Sequence, residues 1–248
     1  MRRAHRVLSP NEPDPAAAGR VALAIMTKVP RAGRVKTRLC PPLTPEEAAE
    51  LNVCFLRDTA AAITQAGANA QGVGCYTPVG EEEAYRAILP EDFLLLAQRE
   101  GGFGERLIGA IEDLVAIGFS AVCLIDSDSP IVPAAAFAEA VEVLSQPNDK
   151  VVLGPSDDGG YYLIGMKRLE RRLFEEIDWS TELVLEQTKA RAIEEGIEVH
   201  LLPTFYDVDD GLTLRRLHAD LLGPNESAAP ASREFLLHLT ERDRRLIS

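Results

Sequence analysis

The sequence predicts an α/β protein, a mostly parallel sheet flanked by helices in a single domain. Three observations carry that expectation. Short apolar runs alternate with helical patterns almost throughout the 248 residues. Residues 122–125 form an unbroken apolar run, which reads as a strand buried on both faces, and Asp126, Asp128 and Pro130 follow at once. A first apolar strand over 20–27 runs directly into residues 28–38, where five basic residues stand in eleven positions without an acid. Charged groups where buried parallel strands leave the sheet lie at its carboxyl edge, the place where open α/β sheets bind ligands.

In chain order, residues 1–19 hold prolines, a glycine and a run of alanines and are expected as a disordered leader. The basic loop after the first strand contains Pro30 and Gly33. Its cations, with loop N–H groups, suit phosphates, although a solvated loop balancing surface charge is the plainer alternative. It lacks the G-x-x-x-x-G-K-[ST] pattern of a P-loop. Thr44, Pro45 and Glu47 then make a capping box with proline at the first helical position, opening a helix to about residue 66. A strand over 71–77, a short helix over 81–89 and a strand over 93–97 follow. The glycines at 101, 102 and 104 open a helix ending near Gly118, either admitting a ligand to the backbone or making a tight turn.

The strand from residue 121 comes next. Asp126 and Asp128 are two apart and point the same way if the strand persists, which suits a hard cation; an Asp-Ser turn is the alternative. A helix over 134–144 precedes a strand over 151–155. Residues 156–165 then combine Asp157, Asp158, Gly159, Gly160, Tyr161 and Tyr162, which suggests the wall of an acceptor pocket. A β-hairpin turning at Asp-Gly would use the same residues. A helix is expected over 170–177 and another, capped by Ser180 or Thr181, to residue 195. Trp179, the one tryptophan, suits core or lid packing. A strand over 200–203 leads to Asp207, Asp209 and Asp210, a second acidic exit. A helix over 212–222, a linker over 223–232 and a closing helix over 234–247 complete the chain.

The composition excludes several classes. A formal net charge of −13 argues against nucleic acid as a bulk partner. No apolar run approaches the roughly 20 residues of a membrane helix. Four cysteines without metal-ligand spacing, and no export signal, fit a cytoplasmic protein with reduced thiols. Neither a G-x-S-x-G elbow nor an H-E-x-x-H pattern occurs.

The motifs K-x-P-x-x-G-x-V-K-T-R-L at 28–39, S-D-S-P at 127–130, G-P-S-D-D-G-G-Y-Y-L-I-G at 154–165, W-S-T at 179–181 and D-V-D at 207–209 together carry a resemblance. The chain resembles the nucleotide-diphospho-sugar transferase superfamily, which has the GT-A fold. More narrowly, it looks like the bacterial rSAM/selenodomain-associated transferases linked with arsenosugar biosynthesis. It is also similar to 2-phospholactate guanylyltransferases and, more distantly, to molybdenum-cofactor guanylyltransferases. The resemblance implies a GT-A-like domain over 20–222 and Mg²⁺ or Mn²⁺ held by Asp128 and Asp209. It implies nucleotide phosphates on Lys28, Gly33, Arg34, Lys36 and Arg38, with Lys36 and Asp128 closest to the chemistry. A small acceptor is expected on Asp157, Asp158, Gly159, Gly160 and Tyr161 with Trp179, Ser180 and Thr181.

Two departures bear on this. The family has glycine where Asp126 stands, so Asp126 either adds a metal ligand or is incidental. The last motif continues here as Asp210-Gly211-Leu212 instead of T-P-E-D-L, which leaves Asp207 and Asp209 as alternatives for the second ligand. Three functions are compatible. The leaning is to a nucleotidyltransferase joining a nucleoside triphosphate to a phosphorylated or carboxylated acceptor, because five cations exceed what a diphosphate requires. The alternatives are a glycosyltransferase using a nucleotide sugar and a non-catalytic nucleotide-binding module.

Overall fold

The structure is a computed structural model that describes residues 3–223 and 228–242. Its eight strands are β1 (Arg6–Val7), β2 (Val21–Lys28), β3 (Ala70–Thr77), β4 (Leu94–Ala97), β5 (Ala121–Ile125), β6 (Lys150–Pro155), β7 (Tyr161–Met166) and β8 (Glu198–Leu201). They form one sheet in the order β1-β4-β3-β2-β5-β7-β6-β8, in which only the two pairings made by β7 are antiparallel. The expected mostly parallel sheet is therefore present, with one reversed strand inside it.

The helices are α1 (Pro45–Thr64), α2 (Phe103–Ile117), α3 (Ala134–Ser145), α4 (Val184–Glu194), α5 (Gly211–Leu222) and α6 (Pro230–Arg242). On β5 every residue is buried, with Ala121, Cys123 and Ile125 facing one layer and Val122 and Leu124 the other. That is why the run is apolar without alternation: both faces are covered. Leu56 and Ile63 of α1 and Phe137 and Leu144 of α3 close the first face. Ile111 and Leu114 of α2 and Ala192 of α4 close the second. A third apolar cluster joins α1 to α5 and α6 through Leu51, Phe55, Leu217 and Leu236. Asp58 of α1 is buried beneath α6 and accepts the Ala231 and Ser232 backbone N–H groups at 2.9 and 2.8 Å. A carboxylate from another helix thus serves the free N–H groups at the start of α6.

Several local expectations hold. Thr44 and Glu47 form the capping box of α1, with Pro45 at its first position. Others shift. The segment 81–89 is a 3₁₀ helix over Glu82–Ala87, and 170–177 contracts to a 3₁₀ turn over Arg171–Phe174. Both are held by i→i+3 bonds, as from Ala84 N–H to Glu81 O and from Leu173 N–H to Glu170 O. Residues 3–19 are not a disordered leader. Arg6–Val7 pairs with Leu94–Leu95, His5 ring nitrogens lie 3.0 and 3.2 Å from Phe93 O and Tyr85 O, and Ala17 is buried. A two-residue edge strand offers no periodicity to read, so composition alone misdirects there. The closing helix begins at Pro230, inside the expected linker, and its expected end at residue 247 lies outside the described residues. So do residues 224–227 of the linker.

The chain leaves β2 toward β3 on one side, while β5 lies on β2's other side. The crevice beyond the carboxyl ends of β2 and β5 is the topological switch point of the sheet. Both the basic loop and the 126–130 turn open into it. The 207–209 segment is drawn in by a bond from the Val208 N–H to Asp128 O at 2.9 Å.

Candidate active site

Lys36 lies at the centre. Its backbone is left-handed (φ 47°, ψ 37°), a conformation costing a non-glycine residue of order 1 kcal/mol, and it heads a 3₁₀ turn over Thr37–Leu39. The contacts of the side chain explain why the strain persists. Nζ lies 2.8 Å from Asp128 Oδ1, 2.9 Å from Asp209 Oδ1 and 2.7 Å from Val208 O, which engages all three of its donors. The side chain is only 5 % exposed, with the ammonium 5.6 Å from the Phe55 ring centroid. Burial disfavours the charged ammonium, yet the charges of Asp128 and Asp209 outweigh it and raise the Lys36 pKa. The two acids from separate strand exits are thus brought together around one cation.

The three other acids of these exits do different work. Asp126 Oδ1 accepts the Asp128 and Ser129 N–H groups at 3.2 Å each, and Oδ2 accepts the Ser129 hydroxyl at 2.7 Å. The strand ends at Ile125, so the two-residue spacing no longer points Asp126 and Asp128 the same way. Asp126 is the turn-forming residue of the alternative reading. Burial, and then the charge of Asp128, push its carboxyl well above the usual range. Asp207 accepts the Ser156 hydroxyl at 3.1 Å, and burial, followed by the charges of Asp158 and Asp209, raises it to about 6. Asp209, on Lys36, is the member of the D-V-D pair that faces Asp128. Asp210 caps α5 through the Leu212 and Thr213 N–H groups.

Two adjoining clefts meet at this cluster. The first, about 270 Å³, is lined by Lys28, Arg34, Lys36, Arg38, Asn52 and Asp128 among others. It gathers the expected phosphate-binding residues except Gly33, which lies in the turn outside it. Arg31 turns away to pair with Glu81. Asn52 of α1, buried at 3 % exposure, was not expected, since an asparagine on an apolar helical face carries no motif.

The second cleft, about 460 Å³, shares Arg38 and Asp209 with the first and adds Phe103, Asp158, Gly160, Tyr161, Trp179, Ser180, Thr181 and Glu182. Trp179 and Phe103 meet edge to face, centroids 5.2 Å apart at 72°. A Cβ on Gly104 would stand 2.8 Å from the Trp179 indole nitrogen, so this glycine at the start of α2 makes room for the tryptophan. Gly159 has φ 92° and abuts the Glu182 backbone, locking the hairpin turn of β6 and β7 to the segment ahead of α4. Residues 156–165 are therefore both the hairpin and a wall of this cleft. Ser180 and Thr181 do not cap α4. Its first residue is Val184, Ser180 is left-handed at φ 65°, and Thr181 donates to Asp178 O at 2.7 Å. Asp157 is drawn outward by an ion pair with Arg216, which lies 3.7 Å from the Tyr206 ring centroid. It and Gly159 are not part of the lining. Phe103 was missed as a site residue because its position between Gly102 and Gly104 reads only as a helix start.

The donor set fits a divalent metal in part. Among the described residues no three His, Cys, Asp or Glu side chains converge on a metal position. Asp128 and Asp209 nevertheless offer hard oxygen donors that already share one positive charge, and Mg²⁺ commonly takes one or two carboxylates with substrate phosphates completing the shell.

A family model described as an uncharacterized protein conserved in bacteria (DUF2064) matches residues 59–181. A crystal structure of a candidate nucleotide-diphospho-sugar transferase from Desulfovibrio desulfuricans G20 is 28% identical, with a TM-score of 0.81 over 92% of this chain and 97% of that one. CMP:2-keto-3-deoxy-manno-octonic acid synthetase complexed with CTP matches at 12% identity, with a TM-score of 0.51 over 80% of this chain and 96% of that one. That likeness is one of fold. No curated protein is significantly similar in sequence. The GT-A-like fold class expected from the sequence holds. Among the described residues no helix is long and apolar enough to cross a membrane.

Proposed function

We propose that the chain is a nucleotide-utilising transferase, with nucleotide phosphates in the basic cleft and a small acceptor in the aromatic one. One observation carries this reading: the buried Lys36 ammonium shared by Asp128 and Asp209 where the two clefts meet. Lys28, Arg34 and Arg38 would bind and orient the phosphate chain by charge-assisted hydrogen bonds. Asp128 and Asp209 would hold Mg²⁺ or Mn²⁺, which when bound supplies charge neutralisation on the phosphates. Catalysis would rest on positioning and electrostatics, without a protein nucleophile.

Of the two chemistries, glycosyl transfer from a nucleotide sugar has the better support. The leaning to nucleotidyl transfer counted five cations, but Arg31 is paired with Glu81 and Lys36 is engaged by two acids. Lys28, Arg34 and Arg38 remain around the cleft, a complement that suits a diphosphate. The solved relative at 28% identity, a candidate nucleotide-diphospho-sugar transferase, supports a nucleotide-utilising transferase of either kind. Nucleotidyl transfer is the second reading, supported by the resemblance of the Lys28–Arg38 loop to the guanylyltransferases. The narrower resemblance to rSAM/selenodomain-associated transferases and guanylyltransferases rests on the motifs at 28–39, 127–130, 154–165, 179–181 and 207–209.

The experiment incubates the protein with Mg²⁺ or Mn²⁺ and panels of nucleotide sugars and nucleoside triphosphates, following product release. Nucleoside diphosphate from a nucleotide sugar is the expected product. Pyrophosphate from a triphosphate, without nucleoside diphosphate, would move the activity to the second reading. Nucleotide binding with neither product would leave a non-catalytic module.

A further inference from the structure

We infer that the aromatic cleft takes a neutral polyhydroxylated acceptor, a sugar or sugar-like polyol, and discriminates against phosphorylated or carboxylated acceptors. This rests on the transferase reading above and names the substrate class of its second cleft.

The first ground is charge. Asp158 and Glu182 line the cleft with Asp209, which is already paired with Lys36, and among the described residues Arg38 is the one lining cation. Arg38 also lines the phosphate cleft and stands 3.8 Å from Asp209 Oδ2, so a bound nucleotide claims it first. The cations nearby are engaged elsewhere: Lys36 by Asp128 and Asp209, Arg216 by Asp157. Arg106 lies outside the lining, its guanidinium 5.6 Å from the Phe103 centroid and donating to Gln98. A phosphate or carboxylate on the acceptor would therefore meet carboxylates of like charge with no cation of its own.

The second ground is shape and chemistry. Phe103 is 47% exposed, and its ring is held in place by an edge-to-face contact with Trp179. An exposed, fixed aromatic corner is a platform for the C–H face of a sugar ring, whose slightly positive hydrogens meet the negative π face. Carboxylates beside it accept hydrogen bonds from hydroxyl groups. An apolar platform with a few converging polar groups is the usual form of a small-molecule site.

Because Trp179 is the only tryptophan and lines the cleft, its emission reports occupancy directly. The experiment titrates the full chain, with and without saturating nucleoside diphosphate and Mg²⁺. The ligands are methyl glucoside, methyl galactoside and ribose, each against its phosphate, together with glucuronate and galacturonate. At least one neutral sugar is expected to change Trp179 emission saturably, with the matching anion at least about tenfold weaker. Phe103→Ala should weaken the neutral sugar, and Asp158→Asn should narrow the gap between neutral and anionic ligands. Anions binding as well as or better than every neutral sugar would overturn the inference, as would no response to any neutral sugar. Nucleotide binding, read separately by heat-stability shift, distinguishes the failures: nucleotide bound without sugar sinks this inference alone, and absence of nucleotide binding sinks the transferase reading.

Discussion

Replacing Lys36 with methionine probes the centre of the site while keeping a side chain of similar length. Nζ is the shared partner of Asp128 and Asp209, and the substitution leaves the two carboxylates facing each other. Removing one partner of a fully buried pair typically costs about 3–5 kcal/mol. Here the acids are 33% and 41% exposed, so water can reach them and the loss is smaller. Methionine also sheds the burial cost of the ammonium. A net loss of about 2 kcal/mol is expected, which for a domain of this size lowers the thermal midpoint by about 4–8 °C. The informative half of the experiment adds Mg²⁺ or Mn²⁺. With the ammonium gone, the carboxylates are free for the metal, and a ligand present at a hundredfold its Kd stabilises by about 2.7 kcal/mol. Lys36→Met should therefore regain its midpoint in metal, while the wild type, whose acids are already engaged, responds less. Thermal unfolding of both proteins across a metal titration reads this. A variant as stable as wild type and indifferent to metal would refute the idea that Lys36 and a metal share one pair of carboxylates.

Arg38 lines both clefts, so Arg38→Gln should weaken nucleoside diphosphate binding at least about tenfold relative to the nucleoside, the loss of one charge-assisted contact. Equal affinities in isothermal titration would leave the arginine as surface charge. Gly159→Ala places a Cβ against the Glu182 backbone at a left-handed φ of 92°, and a loss of about 3 kcal/mol by urea unfolding is expected, with altered Trp179 emission. An unchanged urea midpoint would mean the turn relaxes freely. Asp58→Ala removes the acceptor of the Ala231 and Ser232 N–H groups and should cost about 2 kcal/mol while releasing amide protection in α6. Full protection of α6 in hydrogen exchange would show that its apolar face alone holds it.

Much of this was determined by the sequence alone, and the reason is locality. The run at 122–125 is apolar because both faces are covered, and the capping box at Thr44 and Glu47 acts within one turn. The clustered cations at 28–38 mark the carboxyl edge because the strand before them is buried. What the tertiary structure decided concerns groups far apart in the chain. Lys36 and Asp209 are brought into contact across more than 170 residues, through the bond from the Val208 N–H to Asp128 O that no spacing rule foretells. Asp126 and Asp128 look alike in sequence, yet the strand stops at Ile125, and one carboxylate closes the turn while the other meets the lysine. Phe103 became a cleft wall only because Gly104 lets Trp179 approach from a separate segment. Asp157 left the site because Arg216 of α5 pulls it outward. Periodicity and caps are set by neighbours a few bonds away, whereas the direction of a side chain at a strand exit is set by whichever distant charge the fold packs beside it.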